Sequence, residues 1–261
     1  MRLRLALAYD GSAYCGWQLQ AGQISQPTIQ GAVETALFTL LRQPVRVHGA
    51  GRTDSGVHAL CQVAHCDVPE RDWDWRKRLN CVLPADIRVL AAERAEAAFH
   101  ARKDAIAKTY IYRFWQESAF VAPELRNYVW QCGPLSVRAI DCGLDAFAGC
   151  HDFASFQNAG TDVKSTVREI IDIRLAESQV SEWLPPHLPM LTLSVTGSGF
   201  LKQMVRNMAG FIAAIGKRKL DWSDLPQILA KKSRAALPVA TAPARGLFLA
   251  QVRYGEAGAL R

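Results

Sequence analysis

The chain has 261 residues, of which 49% are hydrophobic and 21% are charged. This length and composition are typical of a globular protein with a real core, in one large domain or two small ones, and they exclude a disordered chain. The net charge of +7 is consistent with a polyanionic partner.

The first hundred residues predict the order strand, helix, strand, strand, helix, strand. Leu3, Leu5, Leu7 and Tyr9 share one face of an opening strand, so these residues are not read as a secretory signal. Alternating or helical spacing of apolar residues then predicts a helix over 28–41, strands over 45–47 and 57–66, a helix over 72–81 and a strand over 87–91.

The second half of the chain is also predicted to contain both strands and helices. Aromatic residues alternate with others over 108–115, which indicates a strand, and a clear apolar stripe over 201–215 indicates a helix. The remaining predicted elements are a helix over 137–148 and strands over 167–175, 190–195 and 247–254, with loops or insertions over 116–135 and 178–189.

These elements predict an α+β fold. We expect a mixed, largely antiparallel sheet built from two α/β subdomains, 1–105 and 106–261, with helices on one face and the other face open to a ligand. No apolar stretch approaches the length of a membrane span, and the seven cysteines include no Cys-x-x-Cys pair. We therefore expect a cytoplasmic protein with reduced thiols and no membrane segment.

The most informative segment is the glycine-rich loop 49–59, which holds Arg52 and Asp54 between two predicted strands. An aspartate beside an arginine is ionised at neutral pH and can serve as a nucleophile, a general base or a metal ligand. Gly49, Gly51 and Gly56 would permit positive φ angles and a close approach of a ligand. Taken by itself, however, the pattern is more typical of an Asx turn with a local ion pair.

Other reaction classes find less support in the sequence. A glycosidase of the usual kind needs two carboxylates, and this loop offers one. The chain has no nucleophile elbow, P-loop or dinucleotide fingerprint. His48, His65 and His100 lack ligand spacing and are interpreted as ordinary polar residues.

Two further groups of residues fit an RNA ligand. Tyr110 and Tyr112 share one face of the 108–115 strand beside basic residues, and they could either stack on a base or pack in the core. Lys202 and Arg206 lie four residues apart, off the apolar stripe of the 201–215 helix. They could reach phosphate or an acidic side chain, or form a solvated basic face.

Together these residues resemble a known family. Gly51-Arg52-Thr53-Asp54-Ser55-Gly56-Val57-His58-Ala59 is similar to the signature of the tRNA pseudouridine synthases that modify the anticodon stem–loop. Further segments resemble the other motifs of this family in the right order, and these are 9–12, 16–18, 99–102, 110–112, 199–207 and 246–249.

The resemblance implies a function and a set of site residues. The family isomerises uridine to pseudouridine in tRNA without cofactor or metal, and it acts as a homodimer with each active site in a cleft between two subdomains. Asp54 matches its catalytic aspartate, and Tyr112 matches the tyrosine that stacks on the target base and is a candidate for proton handling. Arg52 matches an arginine associated with base flipping and with holding the aspartate. Arg206 matches a further active-site arginine, and Leu247 matches an apolar residue of the pocket.

The resemblance also implies stretches that contact tRNA. Related enzymes often carry an Arg-Thr-Pro-like run where this chain has Lys-Ser-Thr-Val at 164–167, so contacts there depart from the family pattern. The residues expected to bind RNA are Phe99, His100, Ala101, Arg102, Lys103, Lys164, Arg168 and Lys202.

Two rival functions stay open at this point. One is a catalytically silent tRNA-binding protein or chaperone of the same fold, although Asp54, Arg52 and Tyr112 are all intact. The other is a carboxylate-based RNA glycosidase, which would release free uracil. The sequence also leaves open whether Asp54 attacks C1′ of the ribose or C6 of the base.

Overall fold

The computed structural model describes residues 1–19, 27–160, 163–178 and 190–255. The chain folds as two compact units. The first unit comprises Met1–Lys108 together with the chain from Phe248, and the second comprises Thr109–Leu247. The sequence placed everything after residue 105 in one subdomain, whereas the last strand groups with the first unit because it pairs there with an earlier strand.

The predicted helices and strands occur in the predicted order, and three elements that the sequence does not predict occur at Trp130–Gln131, Gly149–Asp152 and Asp224–Ala230. In chain order the helices and strands are β1 (Arg2–Tyr9), α1 (Ile29–Leu41), β2 (His48–Gly49), β3 (His58–Asp67), α2 (Trp75–Val82), β4 (Ile87–Ala95), β5 (Ala105–Trp115), β6 (Trp130–Gln131), α3 (Val137–Asp141), β7 (Gly149–Asp152), β8 (Val167–Ser178), β9 (Met190–Gly197), α4 (Met204–Gly216), α5 (Asp224–Ala230) and β10 (Leu247–Tyr254).

The sheet of the first unit has the strand order β4-β1-β3-β10. β1 pairs antiparallel with both β3 and β4, whereas β10 runs parallel to β3 with Phe248 opposite His58. The alternating leucines of β1 are buried, as their spacing predicts. Helix α1 begins where the Thr28 hydroxyl accepts a hydrogen bond from the Gly31 N–H, and it ends at Arg42 in the left-handed conformation.

The sheet of the second unit has the strand order β5-β9-β8-β7, and β6 runs parallel to β5. Helix α4 is almost completely buried, with Met208, Phe211 and Ile212 at its centre. The stretch 116–135, predicted as a loop or insertion, contains β6 and packs a small apolar cluster around Trp115 and Val129. It is therefore an ordered part of the second unit.

Two predicted helices are shorter in the structure. The helix predicted over 137–148 ends at Asp141, and Gly143, with φ −145° and ψ 9°, is not helical. A 3-10 turn follows at Leu144–Phe147. The helix predicted over 201–215 begins only at Met204, because Gln203 adopts a left-handed conformation with φ 59°.

The α+β class and the mixed, largely antiparallel strand pairing are confirmed. The strand predicted over 45–47 is displaced to His48–Gly49, and residues 179–189 of the second predicted loop lie outside the described residues. The placement of all helices on one face and a cleft between the subdomains stay predictions. Within the described ranges, none of the helices is long and apolar enough to cross a membrane.

Candidate active site

The loop that carries Asp54 is fixed on one side by β3. The Ala50 N–H donates to the Val63 carbonyl at 2.7 Å. The Gln62 side chain, which is fully buried, donates to the Gly51 carbonyl at 2.7 Å and accepts from the Gly51 N–H at 3.4 Å. A buried amide that pairs with both backbone groups of one residue holds that residue in a single conformation.

The other side of the loop is fixed by the chain that follows β1. The Trp17 N–H donates to the Thr53 carbonyl at 3.0 Å, and the hydroxyls of Tyr9 and Thr53 share a hydrogen bond of 2.9 Å. Gly16, with φ 78°, passes so close that a Cβ there would lie 2.4 Å from the Thr53 carbonyl oxygen. Only glycine fits both this φ and this distance.

Asp54 opens a tight turn within this frame. Its carbonyl accepts the Val57 N–H at 3.1 Å, and Gly56 inside the turn has φ 76°. The Asp54 side chain is half-buried, whereas Arg52 is exposed. The backbone on both sides of the carboxylate is therefore held in place, which limits the freedom that Asp54 would lose on binding a substrate.

The loop glycines have different roles from those the sequence indicates. Gly56 does adopt a positive φ, but Gly49 and Gly51 do not. At Gly49 a Cβ would lie 2.6 Å from the Trp17 ring, so this glycine makes room for an indole rather than for a ligand. The important close approach is at Gly16, outside the loop, and sequence spacing gave no signal for it.

Tyr112 lies in β5 of the second unit, and its side chain is fully buried. Its hydroxyl donates to the Pro243 carbonyl at 2.8 Å, and its ring lies 5.0 Å from Phe114 and 6.1 Å from Trp130. Burial raises the pKa of Tyr112 well above its usual value. The phenol is therefore neutral at physiological pH and acts as a hydrogen-bond donor.

Gly246 lies against the Tyr112 ring, directly before Leu247. A Cβ on Gly246 would be 2.7 Å from Tyr112 Cζ, so the backbone of the turn before β10 packs against the phenol. Leu247 itself is buried. Tyr110, on the same strand face as Tyr112, is also buried and meets the Phe200 ring edge-on at 5.0 Å.

Arg206 lies in the first turn of α4 and is half-buried. Its Nε donates to the Ala242 carbonyl at 2.7 Å, and its own carbonyl accepts the Ala242 N–H at 3.3 Å. Tyr112 and Arg206 therefore donate to adjacent carbonyls, those of Pro243 and Ala242. The second unit thus brings together Tyr112, Arg206 and the chain leading to Leu247.

Lys202 does not share a helical face with Arg206, contrary to the sequence-based prediction. It precedes α4, and its Nζ donates to the Ala159 carbonyl at 2.8 Å. Of the other two basic residues predicted to contact RNA in this unit, Lys164 is exposed. The Arg168 guanidinium donates to the carbonyls of Ser165 and Val167 at 2.9 and 2.6 Å, and burial lowers its pKa.

The turn 99–103 in the first unit has buried and exposed members. Phe99 and Ala101 are buried, and the Ala101 carbonyl accepts the Tyr254 hydroxyl at 2.7 Å. Arg102 and Lys103 are exposed, and their N–H groups donate to His100 Nδ1 at 3.2 and 3.3 Å. Phe99 and Ala101 anchor the turn, and the cationic side chains lie on its surface.

Three histidines meet beside this turn, although their spacing gave no sign of it. The His65 ring lies 5.1 Å from His48 and 4.7 Å from His100, centroid to centroid. His65 Nδ1 accepts the Ala101 N–H at 3.1 Å, so this nitrogen holds the turn in place. Across the ranges that the structure describes, no group of three or more His, Cys, Asp or Glu residues is arranged to hold a metal.

Comparisons with known proteins agree on one family. The family model described as tRNA pseudouridine synthase matches residues 5–102 and 144–255. The chain is 48% identical over 98% of its length to tRNA pseudouridine synthase A of Maridesulfovibrio salexigens and covers 92% of that protein. It is 49% identical to tRNA pseudouridine synthase A of Solidesulfovibrio magneticus, over 98% of this chain and 92% of that protein. It is 40% identical to tRNA pseudouridine synthase A 1 of Bacillus cereus, over 98% of this chain and 99% of that protein. The chain belongs to the tRNA pseudouridine synthase family.

Proposed function

We propose that this protein isomerises uridine to pseudouridine in the anticodon stem–loop of tRNA, with the Asp54 carboxylate as nucleophile. The reaction is inferred from the family, and the assignment of Asp54 rests on the hydrogen bonds that hold the backbone around it. Thr53 is bound by the Trp17 N–H, and the Asp54 carbonyl is bound by the Val57 N–H. A carboxylate on a fixed loop meets a reacting carbon at a smaller entropic cost than one on a loop that must first be ordered.

The reaction needs no net oxidation, reduction or uptake of water. Asp54 attacks either C1′ of the ribose or C6 of the uracil, and both routes remain open. The bond from N1 to C1′ breaks, the uracil turns, and a bond from C5 to C1′ forms. The bond that Asp54 made to C1′ or C6 breaks in turn, which regenerates the carboxylate. The proton on C5 then leaves and N1 gains a proton, so the product is an isomer of the substrate.

A uridine inside a stem must leave the base stack before Asp54 can reach it. Flipping costs a few kcal/mol, and stacking on one aromatic ring returns about 1–3 kcal/mol. The two quantities are similar in size, so Tyr112 as the stacking partner and Arg52 as the residue that holds the gap could largely offset the cost. Because the Tyr112 ring is buried, tRNA binding has to make one of its faces accessible.

Tyr112 would act as a neutral hydrogen-bond donor, and Arg206 would act as a cation. The neutral phenol of Tyr112 cannot serve as a phenolate base near pH 7, because burial raises its pKa. We therefore assign it to stacking and to hydrogen-bond donation. Arg206 supplies a positive charge, and Leu247 supplies an apolar wall of the uracil pocket.

The remaining residues form the proposed tRNA surface. Arg102, Lys103 and Lys164 are exposed and would contact phosphates directly. His100, Arg168 and Lys202 would support them, and Phe99 and Ala101 would contribute by holding the turn. We also propose, from the family alone, that the protein is a cytoplasmic homodimer.

The test is release of tritium from tRNA that carries uridine labelled at C5. Wild type should release the label, and Asp54→Asn should lower the rate by about 10³-fold or more. Asp72→Asn is the matched control, because Asp72 is an exposed carboxylate of the same unit outside the loop. We expect this control to keep the wild-type rate.

The same assay separates the rival functions. A silent tRNA-binding protein would bind the labelled tRNA and release no tritium. An RNA glycosidase would liberate free uracil, which chromatography detects. Full activity in Asp54→Asn would remove Asp54 as the nucleophile and leave the family reaction in place.

A further inference from the structure

A buried hydrogen-bond network in the second unit has no part in the chemistry proposed above. Asn207 follows Arg206 in α4 and is fully buried. Its Nδ2 donates to the Phe156 carbonyl at 2.7 Å and to Asn158 Oδ1 at 2.9 Å. Because a carbonyl can only accept, this contact fixes which way the Asn207 amide points, and its Oδ1 then accepts the Thr241 hydroxyl at 2.7 Å.

Thr241 belongs to the 239–243 segment, which has no regular secondary structure. The segment lies directly on α4. A Cβ on Gly210 would be 2.5 Å from the Ala240 carbonyl oxygen, and Ala242 exchanges hydrogen bonds with Arg206. Since no helix or strand ladder supports this segment, its position depends on side-chain contacts such as the bond between Thr241 and Asn207.

Arg234 ties the start of this segment to the same network. Its Nε donates to Asn158 Oδ1 at 3.0 Å, and its two terminal nitrogens donate to the carbonyls of Leu237 and Val239 at 3.0 and 2.8 Å. Asn158 Nδ2 in turn reaches the Thr241 hydroxyl at 3.2 Å. Asn158 therefore links the two anchors of the segment, and connected hydrogen bonds of this kind hold a single arrangement.

The end of the 239–243 segment supplies the hydrogen-bond acceptors for two proposed site residues. The Arg206 guanidinium donates to the Ala242 carbonyl at 2.7 Å, and the Tyr112 hydroxyl donates to the Pro243 carbonyl at 2.8 Å. These carbonyls are one and two residues beyond Thr241. A shift of Thr241 would therefore move both acceptors together.

We propose that Asn207 and Thr241 are positioning residues for uridine isomerisation. Their hydrogen bond holds the 239–243 segment on α4, and the carbonyls of this segment orient the Arg206 guanidinium and the Tyr112 phenol. The inference rests on the proposed function, because it assigns roles in that reaction. Asn207 and Thr241 act through Arg206 and Tyr112 rather than by touching the uridine.

Thr241→Val is the decisive variant, because it removes the hydroxyl and keeps the shape of a half-buried side chain. We expect kcat for tritium release to fall about ten-fold while KM for tRNA stays within about two-fold. Hydrogen exchange of the peptide covering 237–243 should become faster, with the rest of the second unit unchanged. Thr241→Ser keeps the hydroxyl and should restore both kcat and the slow exchange.

Thr192→Val is the matched control. Thr192 is a half-buried threonine of the same unit whose hydroxyl accepts a hydrogen bond from Ser178 at 2.8 Å, away from the 239–243 segment. It should leave kcat and the exchange of 237–243 at wild-type values. Asn207→Ala is a second variant, expected to show the same fall in kcat if it folds.

Three results have distinct meanings. Wild-type kcat in Thr241→Val would overturn the positioning role, whatever the exchange shows. An equal fall in kcat for Thr241→Ser or Thr192→Val would also overturn it, because the effect would not follow the hydroxyl. A wild-type protein that releases no tritium would instead refute the proposed function, while the exchange measurement would still report whether the hydroxyl holds the segment.

Discussion

Gly246 and Tyr112 are in direct contact, with the glycine backbone packed against the end of the phenol. A Cβ on Gly246 would lie 2.7 Å from Tyr112 Cζ and 3.0 Å from its hydroxyl oxygen. That hydroxyl already donates to the Pro243 carbonyl at 2.8 Å. The Tyr112 ring is thus confined by the chain three residues before Gly246 and by Gly246 itself.

Gly246→Ala is therefore expected to displace the phenol. Overpacking of a buried site costs about 1–3 kcal/mol of unfolding free energy, and a misplaced stacking ring should lower kcat by about ten-fold or more. Gly255→Ala is the control, because a Cβ at Gly255 would meet no atom within 4 Å. Urea unfolding and tritium release measure both effects, and a Gly246→Ala enzyme with wild-type kcat would contradict the prediction.

Gly16→Ala should damage the loop that holds Asp54. Gly16 combines φ 78° with a Cβ position 2.4 Å from the Thr53 carbonyl oxygen, so alanine would strain the backbone and push on the residue before Asp54. We expect a loss of about 2–4 kcal/mol of stability together with loss of most of the tritium release.

Gly149→Ala separates the two causes in that prediction. Gly149 has φ 89° but open space around its Cβ position, so only the backbone strain applies. It should cost about 1 kcal/mol and leave the rate of tritium release unchanged. If Gly149→Ala and Gly16→Ala destabilised the protein equally, the close contact with Thr53 would have no energetic role.

The sequence predicted the elements well where local pattern decides them. β10 has the predicted bounds, and α1 begins one residue after the predicted start because Thr28 caps it. Both elements follow from apolar spacing and capping chemistry alone. The predicted end of α3 and the predicted start of α4 were wrong because they depend on the conformations of Gly143 and Gln203, which apolar spacing does not encode.

The site was predictable only in part for the same reason. The Asp54 loop can be recognised from its sequence, but one of its two sides is supported by Gly16 and Tyr9, about forty residues earlier. From the sequence, Tyr112 could either stack on a base or pack in the core. The structure shows that it is buried and that its hydroxyl bonds to Pro243, which is 131 positions away. Contacts over such distances follow from tertiary packing, which single-sequence spacing does not determine.

Arg102 and Lys103 should account for part of the salt dependence of tRNA binding. Both are exposed cations on the 99–103 turn. Each phosphate contact contributes about 0.7–0.9 to the slope of log K against log salt concentration, so Arg102→Ala and Lys103→Ala should each make the slope shallower by about that amount. Lys77→Ala, an exposed cation of α2, is the control. Slopes equal to that of wild type for both variants would remove this turn from the RNA surface.

Lys202 should behave differently from these two residues. Its Nζ already donates to the Ala159 carbonyl at 2.8 Å, so it is less available to phosphate than an unconstrained lysine. Lys202→Ala is expected to weaken tRNA binding with a smaller change of slope than Arg102→Ala. Filter binding over a range of salt concentrations measures both, and a larger change for Lys202→Ala would make Lys202 the stronger phosphate contact.

His65 should make the protein less stable in mild acid. Burial, together with the neighbouring His100 and His48, lowers the pKa of His65 to about 4. The unfolded state therefore binds more protons than the native state between about pH 6.5 and 4. The stability that depends on neutral His65 is fully present above about pH 6.5 and is lost as the pH drops. The free energy of unfolding falls by at most about 1.4 kcal/mol per pH unit from this group.

His65→Asn should reduce that slope. The asparagine Oδ1 can still accept the Ala101 N–H that His65 Nδ1 accepts at 3.1 Å, but it does not titrate. Urea unfolding at pH 7.5, 6.0 and 5.0 should show a smaller loss of stability for the variant than for wild type. His151→Asn is the control, because it removes an imidazole elsewhere in the protein, in the second unit. A His65→Asn protein that loses as much stability as wild type over this range would show that His65 does not cause the acid sensitivity.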